Sequence, residues 1–281
     1  MVIDMHTHTF PEKIAGKVLD KLATAANSTY FADGTNEGLR GAMDEAGVDY
    51  AVLMPVATNS QQYEKINKKA FILNEQGEEN GLFSFAAIHP DNSNFKEILN
   101  EAARNGVKGI KLHPVYQETE FDDIRYMRLI DYACSLGLMI TVHAGYDVGY
   151  PGDRKAAPEH ILPVLNTVKP EKMILAHMGG WRFWDEVEEQ IAGRDVYLDT
   201  SYSLGRITSY AAPRTPQDSA QMSREQFLRI VKKHGADKIL FGSDSPWSSQ
   251  KTSLEDLESI GLSDIELSQI KGENARILLG L

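Results

Sequence analysis

The sequence predicts an α/β protein built as a single (β/α)8 barrel, and three observations carry that prediction. Eight short apolar runs of strand length recur along the chain, and helical patterns separate them. Strands buried on both faces and joined through helices form a parallel sheet, and eight such units close on themselves. The length, 281 residues, suits one barrel of this kind, and no linker-like or low-complexity segment breaks the series.

The first run, residues 1–8, ends in His-x-His. Strand side chains alternate faces, so Asp4, His6 and His8 are expected on one side. A helical pattern covers 13–26, a polar loop 27–34, and a second helix 36–46 closed by Gly47. The second strand, 50–56, ends beside Pro55, where a missing N–H is tolerated. A long helix is expected over 60–80, stopped by Gly81, and the third strand over 83–88. The unit repeats as helix 94–105, strand 107–113, helix 122–136 and strand 138–143. A Gly- and Pro-containing loop follows, then helix 158–168 with Pro158 at its start, where Pro fits. Strand 173–177, helix 184–191 and strand 196–200 lead to a long loop, 202–222. Ser223 and Gln226 form a capping-box pattern at the head of helix 223–234. The eighth strand, 239–243, and short helices complete the chain; the stretch 270–281 is read as a helix packed on the barrel. The long loops after strands one, five and seven are expected on one face, the face that carries chemistry in such barrels.

Composition narrows the function. Net charge is −11, from 29 basic and 40 acidic residues, and no basic cluster stands out, which argues against nucleic acid as a partner. The single cysteine, Cys134, lies in an apolar helical pattern and reads as a small core residue. No N-terminal secretory pattern and no run of 18 apolar residues is visible, so no membrane segment is expected and a cytoplasmic location is the default.

Six of the eight histidines fall at the C-terminal ends of predicted strands; His160 and His234 lie in helices. His6, His8, Lys111, His113, His143, His177 and Asp244 all converge on one mouth if the barrel closes. Imidazole and carboxylate suit zinc, manganese, iron or cobalt. Such a metal lowers the pKa of bound water to about 7, and a neighbouring carboxylate takes its proton.

The ordered motifs are similar to those of the amidohydrolase superfamily. They run from Asp4-Met5-His6-Thr7-His8 through Lys111-Leu112-His113-Pro114, Val142-His143-Ala144-Gly145 and Ala176-His177-Met178-Gly179-Gly180 to Gly242-Ser243-Asp244-Ser245-Pro246. The resemblance covers nearly the whole chain. Within the superfamily it points to the branch containing aminocarboxymuconate-semialdehyde decarboxylase, related aromatic-acid decarboxylases and pyrone-dicarboxylate lactonase. It implies one divalent transition metal, zinc by preference, ligated by His6, His8, His143 and Asp244. It implies that Asp244 also shuttles the water proton, and that His177 is the general acid or polarises a carbonyl. A second metal, bridged by a carboxylated Lys111, is the alternative arrangement.

The remaining candidates for substrate binding or support are Asp4, His113, Arg182, Tyr202, Arg206 and Trp247. Asp4 is expected to brace a ligand histidine from beneath. Arg182 and Arg206 are read as carboxylate binders or surface salt bridges. The first functional expectation is a hydrolase that directs metal-activated water at an amide, lactone or ester of a small molecule. The runner-up is a non-oxidative decarboxylase of a carboxylated aromatic or muconate-like substrate. A metal-binding barrel without catalysis is the third. Specificity is expected in loops 9–12, 144–157 and 201–222. Barrels of this branch often form homodimers, which the resemblance extends to this chain.

Overall fold

The computed structural model describes residues 1–281. Strand β1 (Ile3–Thr7) pairs in parallel with β2 (Tyr50–Leu53), and β2 with β3 (Leu82–Ser84). After Phe85, β4 (Ala86–Ala87) begins a second parallel series. It continues through β5 (Gly109–Leu112), β6 (Met139–Val142), β7 (Met173–Leu175), β8 (Tyr197–Asp199) and β9 (Ile239–Leu240). β3 and β4 are two halves of one barrel strand, the first paired with β2 and the second with β5. The ring meets again between its first and last strands. Met5 N–H donates to the Phe241 carbonyl at 2.9 Å, Asp244 N–H to His6 at 2.8 Å, and His8 N–H to Ser245 at 2.6 Å.

The third strand is read from sequence as one run, and the structure splits it for an identifiable reason. Asn74 donates to the Ser84 carbonyl and accepts from its N–H, while Asn67 does the same for Ala87. Two amide side chains from helix Tyr63–Asn74 thus take backbone bonds that a neighbouring strand otherwise fills. The long helix expected over 60–80 is likewise two pieces, Tyr63–Asn74 and Gly77–Asn80. The helix expected over 184–191 is one α turn, Trp184–Glu186, followed by a wide turn, Val187–Ile191. Ser223 caps its helix by accepting from Gln226 N–H, but the Gln226 side chain donates to Asp185 instead of closing the box.

Two apolar clusters hold the barrel. One lies between strands and helices and takes residues such as Ile110, Ile140, Leu175, Leu198, Ile130 and Phe227. The other joins Ile3, Met5, Val52, Phe85, Met139, Ile174 and Leu240 with Ala275 and Leu279. Its members come from strands on opposite sides of the ring, so it fills the interior. The C-terminal helix Asn274–Leu279 closes it from below. No helix is long and apolar enough to cross a membrane.

Candidate active site

The chain leaves β1, β5, β6, β7 and β9 at one end of the barrel, and there His8, His113, His143, His177 and Asp244 come together with His6 and Lys111 of the strands. β1 is irregular between Asp4 and Thr7. This breaks the simple alternation expected for Asp4, His6 and His8. The Asp4 carboxylate accepts from Ser243 N–H and hydroxyl, from Gln250 and from His6 N–H, but it does not meet the His6 ring. It ties β1 to the segment after β9, and burial pushes its pKa up to about 6 despite these donors.

The carboxylate that holds the His6 ring is Asp199, at the end of β8. Its Oδ2 lies 2.9 Å from His6 Nδ1, and its Oδ1 accepts from the Ser201 hydroxyl and from the N–H groups of His177 and Ser201. Burial opposes the charge on Asp199, yet the neighbouring His6 and His177 and the bonds from His6 and Ser201 hold its pKa below the ordinary value. A carboxylate accepts, so His6 donates through Nδ1 and turns a bare Nε2 into the mouth. Burial, with Lys111 close by, lowers the His6 pKa to about 4.

That nitrogen faces the other donors. His6 Nε2 is 3.7 Å and His8 Nε2 3.0 Å from Asp244 Oδ1. Ligands about 2.1 Å from one tetrahedral ion sit roughly 3.4 Å apart, so these three side chains fit a small divalent transition metal. They also match such an ion in kind, two imidazoles and one carboxylate. Asp244 Oδ2 makes no hydrogen bond to the protein. Burial resists the charge of Asp244, but His8 and His6 keep its pKa below the ordinary carboxylate value.

His143 stands apart from that trio. Its Nε2 lies 3.2 Å from the Tyr146 carbonyl and its Nδ1 3.0 Å from His177 Nε2. His177 Nδ1 in turn lies 3.0 Å from the Ser201 carbonyl. Carbonyls at both ends require an N–H at both ends, and the contact between the rings needs one more. Two neutral imidazoles supply two protons for these three contacts, so the pair is built to take up a third. Burial pushes both rings toward the neutral form. The longest contact, to Tyr146, is then the one left without a proton. To join the metal donors, His143 must release Tyr146 or His177.

His113 belongs to a second cluster with His143 and Asp147. Its ring is stacked between Tyr116 and His143, with centroids 3.8 and 4.1 Å away. Its Nδ1 accepts the Tyr116 N–H at 3.3 Å, so Nε2 carries the hydrogen and faces Asp147 Oδ2 at 3.6 Å. His113, His143 and Asp147 form a second set of donors within reach of one ion, and here the rings stack and hydrogen-bond. Lys111 is buried with Nζ 3.1 Å from His6 Nε2, and burial lowers its pKa to about 8 against the pull of Asp199 and Asp244.

The rim holds the rest. Tyr202 is buried with its hydroxyl 2.6 Å from that of Ser28. Arg182 lies over the Trp181 ring, 4.8 Å from its centroid, and donates to the Asp218 carbonyl. Arg206 is exposed and its backbone bridges to Ala220; it makes no ion pair. Trp247 is half-buried and donates through its N–H to the Asp244 carbonyl. His89 accepts from Asp91 N–H and faces the Asp91 carboxylate at 3.6 Å. Cys134 is half-buried and burial raises its thiol to about 11, in keeping with a core residue. Sequence reading passed over Asp199, Ser201 and Asp147. For Asp199 a signal existed, since a carboxylate ending a barrel strand points at the same mouth as the histidines.

A family model described as Amidohydrolase matches residues 3–281. No curated protein matches. Solved structures share the fold. A candidate 2-pyrone-4,6-dicarboxylic acid hydrolase from Pseudomonas putida is 17% identical with a TM-score of 0.69, over 99% of this chain and 97% of that one. An uncharacterized TIM-barrel protein from Bordetella bronchiseptica is 16% identical with a TM-score of 0.76, over 99% and 98%. A dihydroxybenzoic acid decarboxylase from Polaromonas, solved with manganese and 2-nitroresorcinol, is 18% identical with a TM-score of 0.66, over 100% and 97%.

Proposed function

From the premise that this chain belongs to the amidohydrolase family, we propose that it is a metal-dependent hydrolase of a small molecule, acting on an amide, lactone or ester. The observation that carries this reading is the convergence of His6 Nε2, His8 Nε2 and Asp244 Oδ1, with the His6 tautomer set by Asp199. When bound, a divalent transition ion supplies Lewis acidity and lowers the pKa of water. Zinc suits these donors best.

The chain's own residues do the remaining work. Asp199 and Ser201 hold His6 with its lone pair toward the mouth. Asp244 anchors through Oδ1 and keeps Oδ2 free to accept a proton from the attacking water. The neutral His143–His177 pair has room for a third proton, so His177 takes up the proton that Asp244 accepts from the water and passes it to the leaving atom. Buried surroundings exclude competing water.

The experiment is direct. Protein purified without chelator is expected to carry about one equivalent of transition metal. His8→Ala is expected to lose it, whereas His177→Ala keeps it and loses turnover by roughly 100-fold or more. Product formed in oxygen-18 water is expected to carry the label. Absence of metal, with no binding on addition, sinks the proposal.

One observation favours a second reading. A proton relayed through the His143–His177 pair can also be delivered to carbon, and a fold neighbour is named as a dihydroxybenzoic acid decarboxylase. Carbon dioxide release without label uptake selects that reaction and a carboxylated substrate.

A further inference from the structure

We propose that the Lys111 ammonium competes with a metal ion for one lone pair of His6, and yields by moving onto the Thr141 hydroxyl. The inference rests on the reading that His6, His8 and Asp244 hold a metal. His6 spends its only proton on Asp199, so Nε2 has one lone pair and no hydrogen. Lys111 Nζ lies 3.1 Å from that same nitrogen and has only hydrogens to offer. One lone pair serves one partner. Lys111 is 1% exposed, so no bulk water screens an ammonium from a divalent ion at this nitrogen.

An alternative acceptor is already in place. Thr141 pairs with Lys111 in the register of β5 and β6, which puts the two side chains on the same face of neighbouring strands. The Thr141 residue is fully buried, and its hydroxyl has no hydrogen-bond partner in the protein. A buried hydroxyl without a partner is unusual. Rotation of the lysine chain toward it releases His6 and satisfies Thr141 in one movement. In this arrangement Lys111 is neither a metal ligand nor a bridge. It is a displaceable internal cation that sets how tightly the site takes metal, and it neutralises Asp199 and Asp244 when no ion does so.

The test uses the full chain, stripped by chelator and titrated with Zn2+ against a chromophoric chelator. Lys111→Met is expected to bind Zn2+ roughly tenfold tighter or more, because the competing charge is gone. Thr141→Val, which touches none of the donors, is expected to bind roughly threefold weaker, because the released ammonium has no acceptor. Unchanged or weaker binding in Lys111→Met overturns the proposal; weaker binding marks Lys111 as a ligand. Far-UV circular dichroism and melting curves check each variant, with Lys111→Gln as the replacement where Lys111→Met does not fold. Wild-type protein is also loaded with Zn2+ in 13C-bicarbonate. A carbamate carbon signal there overturns the proposal, and zinc uptake independent of bicarbonate supports it. If wild-type protein binds Zn2+ no better than His8→Ala, the metal reading itself fails, and the inference with it.

Discussion

At the scale of single residues, the site turns on which proton each imidazole keeps. Asp199 decides this for His6, Tyr116 N–H for His113, and the Ser201 carbonyl for the His143–His177 pair. Removing Asp199 therefore acts on metal binding without removing a ligand. Asp199→Ala is expected to weaken metal affinity roughly 10- to 100-fold, measured by equilibrium titration, with the imidazole ligands still present. Retained affinity in that variant discounts Asp199 as the orienting group. The histidines of this mouth were legible in the sequence because they end strands. Their tautomers were not, because each is set by a partner distant in sequence or by a backbone group whose position depends on the fold.

At the scale of elements, the segment after β7 shapes the mouth. His177 and Met178 have positive φ, 58° and 52°, and Gly179 follows at 86°. This turn carries the chain to Trp181, whose N–H donates to the Ala144 carbonyl at 2.9 Å. The two backbones then run so close that a Cβ on Gly145 meets Trp181 N at 2.1 Å, and Gly145 itself has φ 91°. Gly145→Ala combines backbone strain with a clash against backbone that has no rotamer to escape through. A loss of about 3 kcal/mol or more is expected, read by denaturant unfolding. A loss within 0.5 kcal/mol, the scale of an ordinary surface change, contradicts the close approach. The split of the third strand was not legible in the sequence, since nothing local marks Asn67 and Asn74 as backbone partners of a strand.

At the scale of the molecule, closure of the ring places groups from both ends of the chain in one dry space, and pH tests that burial. His6, His113, His143 and His177 are all lowered from the ordinary histidine pKa by desolvation. The unfolded chain therefore binds protons below about pH 6.5 that the folded chain refuses, so stability falls as pH drops from there. For His6, lowered to about 4, the loss approaches on the order of 3 kcal/mol near pH 4. Asp4 and Asp147, raised to about 6 by burial, work the other way, since their contribution is lost as pH rises toward 6. Four histidines outweigh two carboxyls. Metal-free protein is thus expected to have a lower unfolding free energy at pH 5 than at pH 7.5 by urea titration; equal values contradict the burial. The barrel floor offers a separate check. Leu279→Ala, 1% exposed in the inner cluster, is expected to cost about 2–4 kcal/mol while leaving metal stoichiometry unchanged.

The sequence by itself determined the parallel barrel, its one chemical face and the imidazoles and carboxylate on that face. Each of these follows from local pattern, because strand length, helical period and strand-end position are properties of neighbouring residues. The tertiary structure decided which donors meet. It brought Asp244 to His6 and His8, gave His143 to His177, placed Asp199 under His6 in the role expected of Asp4, and set Lys111 against a lone pair that a metal also needs. Those outcomes depend on the irregularity in β1 and on contacts across the closed ring, where a displacement of a few ångströms separates a ligand from a hydrogen-bond partner.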